Sequence, residues 1–342
     1  MNAERRKRQK KSRTAHKVDR EWQAPPDTKL PDFIICGAMK CGTSTVHSIL
    51  ATHPDVFMPD GELNFFDIDD IFQHSDFVFQ GKTRWVSPQI EVDPKHYWAW
   101  YQQKFDAAPT GSLIGEDSTC YLPSQRAAAR ISMQSKAIKT IICMRQPSLR
   151  AYSQYWHLVR SGRALFSFED TIRFLPHSVL ERSMYLPQIT RFLNAIPRDR
   201  VYFFVLEEFL LDKSRVLREL SDFLCLDHAL FAKDAKEIWT NHALLPRSLK
   251  LQLAMNRWFR SKGNSRYAER LPISLEDFES LRTNILIQGA WKIHRAVNGV
   301  RRGKPPPMEF QTREFLDRLF QRELIGLDEL VGKDLSSLWF PR

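Results

Sequence analysis

The chain has 342 residues, 43% of them hydrophobic and 27% charged, with a formal net charge of +11 at pH 7. Those values suit a globular protein able to bury a large core, and no stretch of about 18 consecutive apolar residues marks a membrane-spanning helix. The five cysteines are scattered, with no C-x-x-C or Cys/His ligand spacing, which argues against a disulfide framework or a structural zinc.

The N-terminal run ERRKRQKKSRTAHK, Glu4 to Lys17, is almost devoid of apolar residues. Its composition predicts a disordered basic arm over residues 1–28, able to touch an acidic surface weakly but carrying no specific signal for nucleic acid. Met1 onward has no apolar leader segment, so the chain is expected to stay in the cytoplasm. Residues 29–342 read as one domain, with no evident linker or repeat, and nothing in them states an oligomeric state.

Within that domain β-rich runs alternate with helical patterns. DFIICG precedes a helix, SLIGEDST precedes LPSQRAAARISM, IKTIICMR precedes SLRAYSQYWHLVRSG, and RVYFFVLEEF precedes DKSRVLRELSDFL. This alternation predicts an α/β fold with a central, mainly parallel sheet flanked by helices, in which ligands bind beyond the carboxyl ends of the strands. HYWAWYQQKF, His96 to Phe105, has aromatics spaced for core packing, with a sugar-stacking cleft as the other reading. Residues 242–312 are less regular and read as helices and loops over one side of the sheet. Near the C-terminus Phe315, Leu316, Leu319, Phe320 and Leu324 recur at helical spacing, as a core-facing helix requires.

DFIICGAMKCGTST, Asp32 to Thr45, joins an apolar strand to a helix through a glycine-containing turn. A helix N-terminus in that setting offers unpaired N–H groups and a positive dipole end to an anion. Cys41, Gly42, Thr43, Ser44 and Thr45 form the cradle, Lys40 adds a charge, and Cys41 is the thiol whose pKa such a loop would lower. The nucleoside-triphosphate loop G-x-x-x-x-G-K-[ST] requires lysine where Thr43 stands, and no strand-end aspartate is evident to hold Mg²⁺. A second polar cluster follows another apolar strand: Arg145 at its end, and Ser153 on the next helix. Together they can hold a second phosphate.

These residues resemble the sulfotransferases that use 3′-phosphoadenosine 5′-phosphosulfate. KCGTST is similar to that superfamily's phosphosulfate loop, with the lysine displaced as it is here, and Arg145 and Ser153 match its 3′-phosphate pair. DGELNFFD, Asp60 to Asp67, looks like the E-x-x-F-F segment of the heparan-sulfate-type branch (N- and 3-O-sulfotransferases), and GEDSTCYLPS like its G-E-x-[ST]-P-x-Y strand. RELIGLDELVGKDLSSLW resembles the closing helix and tryptophan of bacterial members.

The resemblance implies a P-loop-like sulfotransferase fold, the phosphosulfate as cosubstrate, no metal, and a carbohydrate or small-molecule acceptor. It implies Glu62 as general base, Lys40 stabilising the leaving phosphate, and His157, one turn beyond Ser153, as a further catalytic candidate. Arg247 is a candidate for completing the 3′-phosphate site. Arg160 and Arg163 stand as candidates for closing over the nucleotide or meeting an acidic acceptor. Asp117 stands where the animal 3-O-enzymes carry a lysine, so the acceptor chemistry does not carry over. A P-loop kinase or nucleoside-triphosphatase and a non-catalytic, basic nucleic-acid binder remain as alternatives.

Overall fold

The computed structural model describes residues 20–80, 84–238, 244–259, 270–273, 289, 292–294 and 296–341. Its centre is a five-stranded parallel sheet of β1 (Phe33–Gly37), β2 (Val56–Phe57), β3 (Leu113–Asp117), β4 (Lys139–Met144) and β5 (Val201–Val205), in the order β2-β3-β1-β4-β5. β1 is the middle strand and is buried along its whole length. This explains why it reads as a continuous apolar run instead of an alternating one. In register, Ile35 lies beside Asp117 of β3 and Ile141 of β4, so the carboxyl ends of these three strands open on one edge.

The flanking helices are α1 (Thr43–Leu50), α2 (Pro94–Gln103), α3 (Ala127–Ser132), α4 (Pro147–Arg160), α5 (Phe168–Phe174), α6 (Tyr185–Ala195), α7 (Leu206–Leu211) and α8 (Lys213–Leu224). After them come α9 (Leu249–Phe259), α10 (Phe310–Glu323), α11 (Leu327–Val331) and α12 (Leu335–Trp339). The expected α/β architecture and each of the four strand–helix pairs are therefore present.

α4 starts cleanly because Pro147 occupies its first turn and the Gln146 side chain accepts from Leu149 N at 2.7 Å. On α2 the residues Tyr97, Trp98 and Tyr101 are buried, the last two against Phe65 and Phe66, with the Phe65 and Tyr101 rings stacked at 4.2 Å. The aromatic run is thus core and does not line a cleft. α10 buries Leu316 and Phe320 and packs against α4, whereas Phe315 is 57% exposed. A one-residue step of about 100° from Leu316 places Phe315 off the buried face, so it leaves the expected core set.

One boundary differs from the sequence reading. Residues 20–28 are docked on the domain: Trp22 is 1% exposed, the Arg130 guanidinium lies 3.4 Å over its ring, and Gln134 Nε2 donates to its carbonyl at 2.7 Å. Composition averaged over residues 1–28 hid this single aromatic anchor; the arm up to residue 19 lies outside the described residues. Of the irregular stretch 242–312, the described part includes a two-stranded antiparallel ribbon joining residues 244–246 to 300–302, packed on α4. Among the described residues, no helix is long and apolar enough to cross a membrane.

Replacing a buried tryptophan by alanine typically costs about 3–5 kcal/mol. Urea unfolding of Trp22→Ala is expected to show a loss in that range; a loss below about 1 kcal/mol would mean that residues 20–28 are not anchored as described.

Candidate active site

The turn after β1 is held in conformations that glycine adopts readily and other residues rarely do. Gly37 has φ +113°, and a Cβ there would stand 2.4 Å from the Thr119 carbonyl oxygen, so no side chain fits. Gly42 has φ +88° and caps α1 without any side-chain acceptor. The Thr45 and Val46 amides bond back to the Gly42 carbonyl, while Thr43 and Ser44 are the first two residues of the helix, whose N–H groups it cannot itself satisfy. Lys40 sits between the two glycines at φ +73° and is half-buried.

Lys40 is crowded by like charge. Burial, then Arg160, Arg145 and Arg150, push its pKa from 10.5 down to about 8. Arg145, at the end of β4, reaches across with Nη1 at 3.5 Å from the Lys40 carbonyl oxygen. Its own backbone is clamped by Tyr185, whose hydroxyl donates to the Arg145 carbonyl at 2.8 Å and accepts from its amide at 3.3 Å. Ser153 lies half-buried two turns along α4. The Lys40 turn and Arg145 therefore meet at the ends of adjacent strands β1 and β4.

Arg247 is exposed, just after the ribbon strand 244–246 that packs on α4. Arg301 and Arg302 occupy the opposite ribbon strand, and the Tyr152 hydroxyl ties the segment to α4 by donating to the Pro306 carbonyl at 2.9 Å. Arg301, Arg302 and Lys304 are exposed on this segment; the sequence shows RRGK but nothing in it brings the segment to α4.

Glu62 approaches from the other side. The residue is exposed, although protein groups crowd its carboxyl, and Thr119 Oγ1 donates to it at 2.7 Å. Loss of hydration, then the nearby Asp117 carboxylate, raise its pKa to about 7, against the pull of Thr119, Arg182 and His74. Asp117 is also raised, chiefly by burial, and is partnered by His47 at 3.6 Å. Glu116, one residue before it, points into the core and accepts from Tyr101, Tyr121 and Ser118, which makes it a packing carboxylate.

His157 sits near Lys40 and bonds Arg160 through Nδ1 at 3.3 Å. Burial and the charges of Lys40 and Arg160 drive its pKa down to about 3, so it is neutral at physiological pH. Arg163 is committed to an ion pair with Asp76. The expectation of a lowered thiol pKa at Cys41 is reversed: the sulfur is buried against the Tyr185 hydroxyl, away from water, and burial raises it to about 11.

The sulfotransferase domain family matches residues 30–245, a span that includes the Lys40 turn, Glu62, Arg145, Ser153 and His157. The chain belongs to this family. Over 213 residues the sulfotransferase is 27% identical to heparan sulfate glucosamine 3-O-sulfotransferase 3B1 of Mus musculus, covering 60% of this chain and 48% of that protein. It is 23% identical over 214 residues to the bifunctional heparan sulfate N-deacetylase/N-sulfotransferase 1 of Caenorhabditis briggsae, covering 58% of this chain and 23% of that one. The chain thus spans about half or less of the length of these curated relatives. A solved sulfotransferase from Alicyclobacillus acidocaldarius shares the fold with a TM-score of 0.58 at 22% identity, covering 91% of this chain and 99% of that one.

The depressed Lys40 gives a signed prediction. A polyanion favours the charged lysine, so binding should take up a proton once the pH approaches 8, where the free ammonium begins to deprotonate. Calorimetry with adenosine 3′,5′-bisphosphate at pH 8.5, in buffers of different ionisation enthalpy, is expected to report proton uptake in the wild-type chain and none in Lys40→Gln. Equal proton counts in the two proteins would contradict this assignment.

Proposed function

We propose that this sulfotransferase moves the sulfuryl group of 3′-phosphoadenosine 5′-phosphosulfate to a hydroxyl or amine of a carbohydrate or small-metabolite acceptor. One observation carries the reading: the 3.5 Å approach of Arg145 Nη1 to the Lys40 carbonyl. It puts two cationic turns, at the ends of adjacent strands β1 and β4, within reach of one ligand that bears an anionic group at either end. The uncapped N-terminus of α1 and the mutual repulsion of Lys40, Arg145 and Arg160 fit such a ligand, since each is relieved by a bound anion.

In this reading the Lys40 turn and the first turn of α1 hold the 5′-phosphosulfate. Arg145 and Ser153 hold the 3′-phosphate, and the ribbon arginines and Arg247 supply a positive rim to that side. Lys40 steadies the charge that grows on the departing phosphate oxygen. Glu62 takes the acceptor proton as the new bond to sulfur forms. With a pKa of about 7 it is poised to do so near neutral pH, whereas His157 at about 3 is far too weak a base. Neutral His157 is suited instead to hydrogen-bond the group in transit. Asp117 adds negative charge beside Glu62, which favours an acceptor that brings hydrogen-bond donors over one that brings carboxylates.

Calorimetry with adenosine 3′,5′-bisphosphate in EDTA tests the core of the proposal. The wild-type chain is expected to bind without metal, and Lys40→Ala and Arg145→Ala are each expected to weaken binding at least about tenfold, as loss of a charge-assisted bond does. Unchanged affinity in both variants would sink the assignment.

Glu62→Gln is expected to retain nucleotide affinity while transfer falls by about 10²-fold or more. In the wild-type chain, kcat/KM should drop on the acid side with an apparent pKa near 7, because protonated Glu62 cannot act as base. A Glu62→Gln variant that lost nucleotide binding as well would mark the residue as structural.

A further inference from the structure

Arg182 belongs to no motif in the sequence, yet it stands between the two halves of the site. Its turn is fixed from behind: Ser183 Oγ donates to the Pro147 carbonyl at 2.9 Å and accepts from Arg150 Nε at 2.5 Å. The guanidinium is half-buried, with Nη1 at 3.6 Å from Met39 Sδ and Nη2 at 3.1 Å from Gln73 Oε1. Met39 immediately precedes Lys40, so Arg182 touches the phosphosulfate loop. The Cys120 thiol lies beside it as well.

A guanidinium has five N–H donors in a planar fork that suits tetrahedral oxyanions. Here its partners are a thioether, a thiol and one amide oxygen, all weak or neutral acceptors. Among the described residues it forms no ion pair within 4.0 Å, although partly buried arginines ordinarily find a carboxylate. Its charge nevertheless reaches both flanks: it stabilises the Glu62 carboxylate on one side and opposes protonation of His157 on the other. Arg182 therefore touches Met39, lies within electrostatic reach of Glu62 and His157, and has no carboxylate at ion-pair distance among the described residues.

We infer that Arg182 is a catalytic residue that binds the non-bridging oxygens of the donor's sulfuryl group, holding it in line between Lys40 and Glu62. The inference rests on the proposed function and adds a contact to it. During transfer the bond from sulfur to the phosphate oxygen breaks and its electron pair stays on the phosphate. The acceptor oxygen bonds to sulfur, and its proton passes to Glu62. Arg182 exchanges no proton; its fork donates to two of the sulfuryl oxygens throughout.

The test needs no acceptor, because the donor and adenosine 3′,5′-bisphosphate differ only in the sulfuryl group. Calorimetry of Arg182→Gln is expected to show bisphosphate affinity within about twofold of wild type and donor affinity reduced about tenfold or more, the loss typical of a charge-assisted hydrogen bond. Arg182→Lys, which keeps the charge but not the fork, should lose less donor affinity with the same unchanged bisphosphate binding. Retained bisphosphate binding also certifies that each variant is folded.

Equal affinity of the variants and wild type for the donor would overturn the inference, as would a parallel loss for both ligands in both variants. A wild-type chain that bound neither nucleotide would instead defeat the proposed function, and this contact with it.

Discussion

Where β1 and β4 end, the ammonium of Lys40 and the guanidinium groups of Arg145 and Arg160 share a recess, and burial together with their mutual repulsion holds Lys40 near a pKa of about 8. Folding tolerates this because the surrounding frame is rigid. Gln146 and Ser148 both donate to Asp317 on α10, and Glu207 accepts from the Gln146 amide and from Trp339 Nε1. The acids behind the recess are thus occupied in fixing the head of α4 and the C-terminal helices. They do not neutralise the cations in front. An anion arriving there would relieve that unpaired positive charge, as the proposed doubly phosphorylated donor requires.

The acidic half of the cleft is its counterpart. Glu62, Asp117 and the buried Asp67–His74 pair, joined at 2.8 Å, gather at the carboxyl end of β3 and the segment that follows β2. Each of these carboxylates is raised chiefly by burial, so the half that would receive an acceptor is poised for proton transfer while the half that would receive a nucleotide is poised for charge. The line between the halves runs through Met39 and Arg182.

Much of this was legible in the residues. The strand–helix alternation gave the parallel sheet, since continuous apolar runs such as FIICG and TIICM are what strands buried on both faces require. The Lys40 turn and the Arg145 cluster were visible because each follows such a strand directly. Arg182 was invisible for the opposite reason: it lies on a short 3₁₀ turn, Glu181–Ser183, with no strand before it and no spacing that announces a site. The Asp67–His74 pair depends on a loop closing on itself, and the ribbon arginines on a contact between residues about 150 positions from α4. The docking of residues 20–28 and the burial of the Cys41 sulfur are tertiary facts of the same kind. One tryptophan in a basic stretch and one cysteine in a glycine turn do not reveal which side chains will cover them.

Tyr185 places a further demand on the design. A single phenolic oxygen meets the Cys41 sulfur at 3.4 Å and both backbone groups of Arg145, and its ring rests against Trp339. The separation between the Lys40 turn and Arg145 is therefore set by one aromatic spacer inserted between them, and not by the long side chains of the two cations. Lengthening or shortening that spacing would require moving an aromatic wedge together with the helix that carries it. If the proposed donor binds there, redesign toward donors with a different distance between their charged ends would have to begin at this ring.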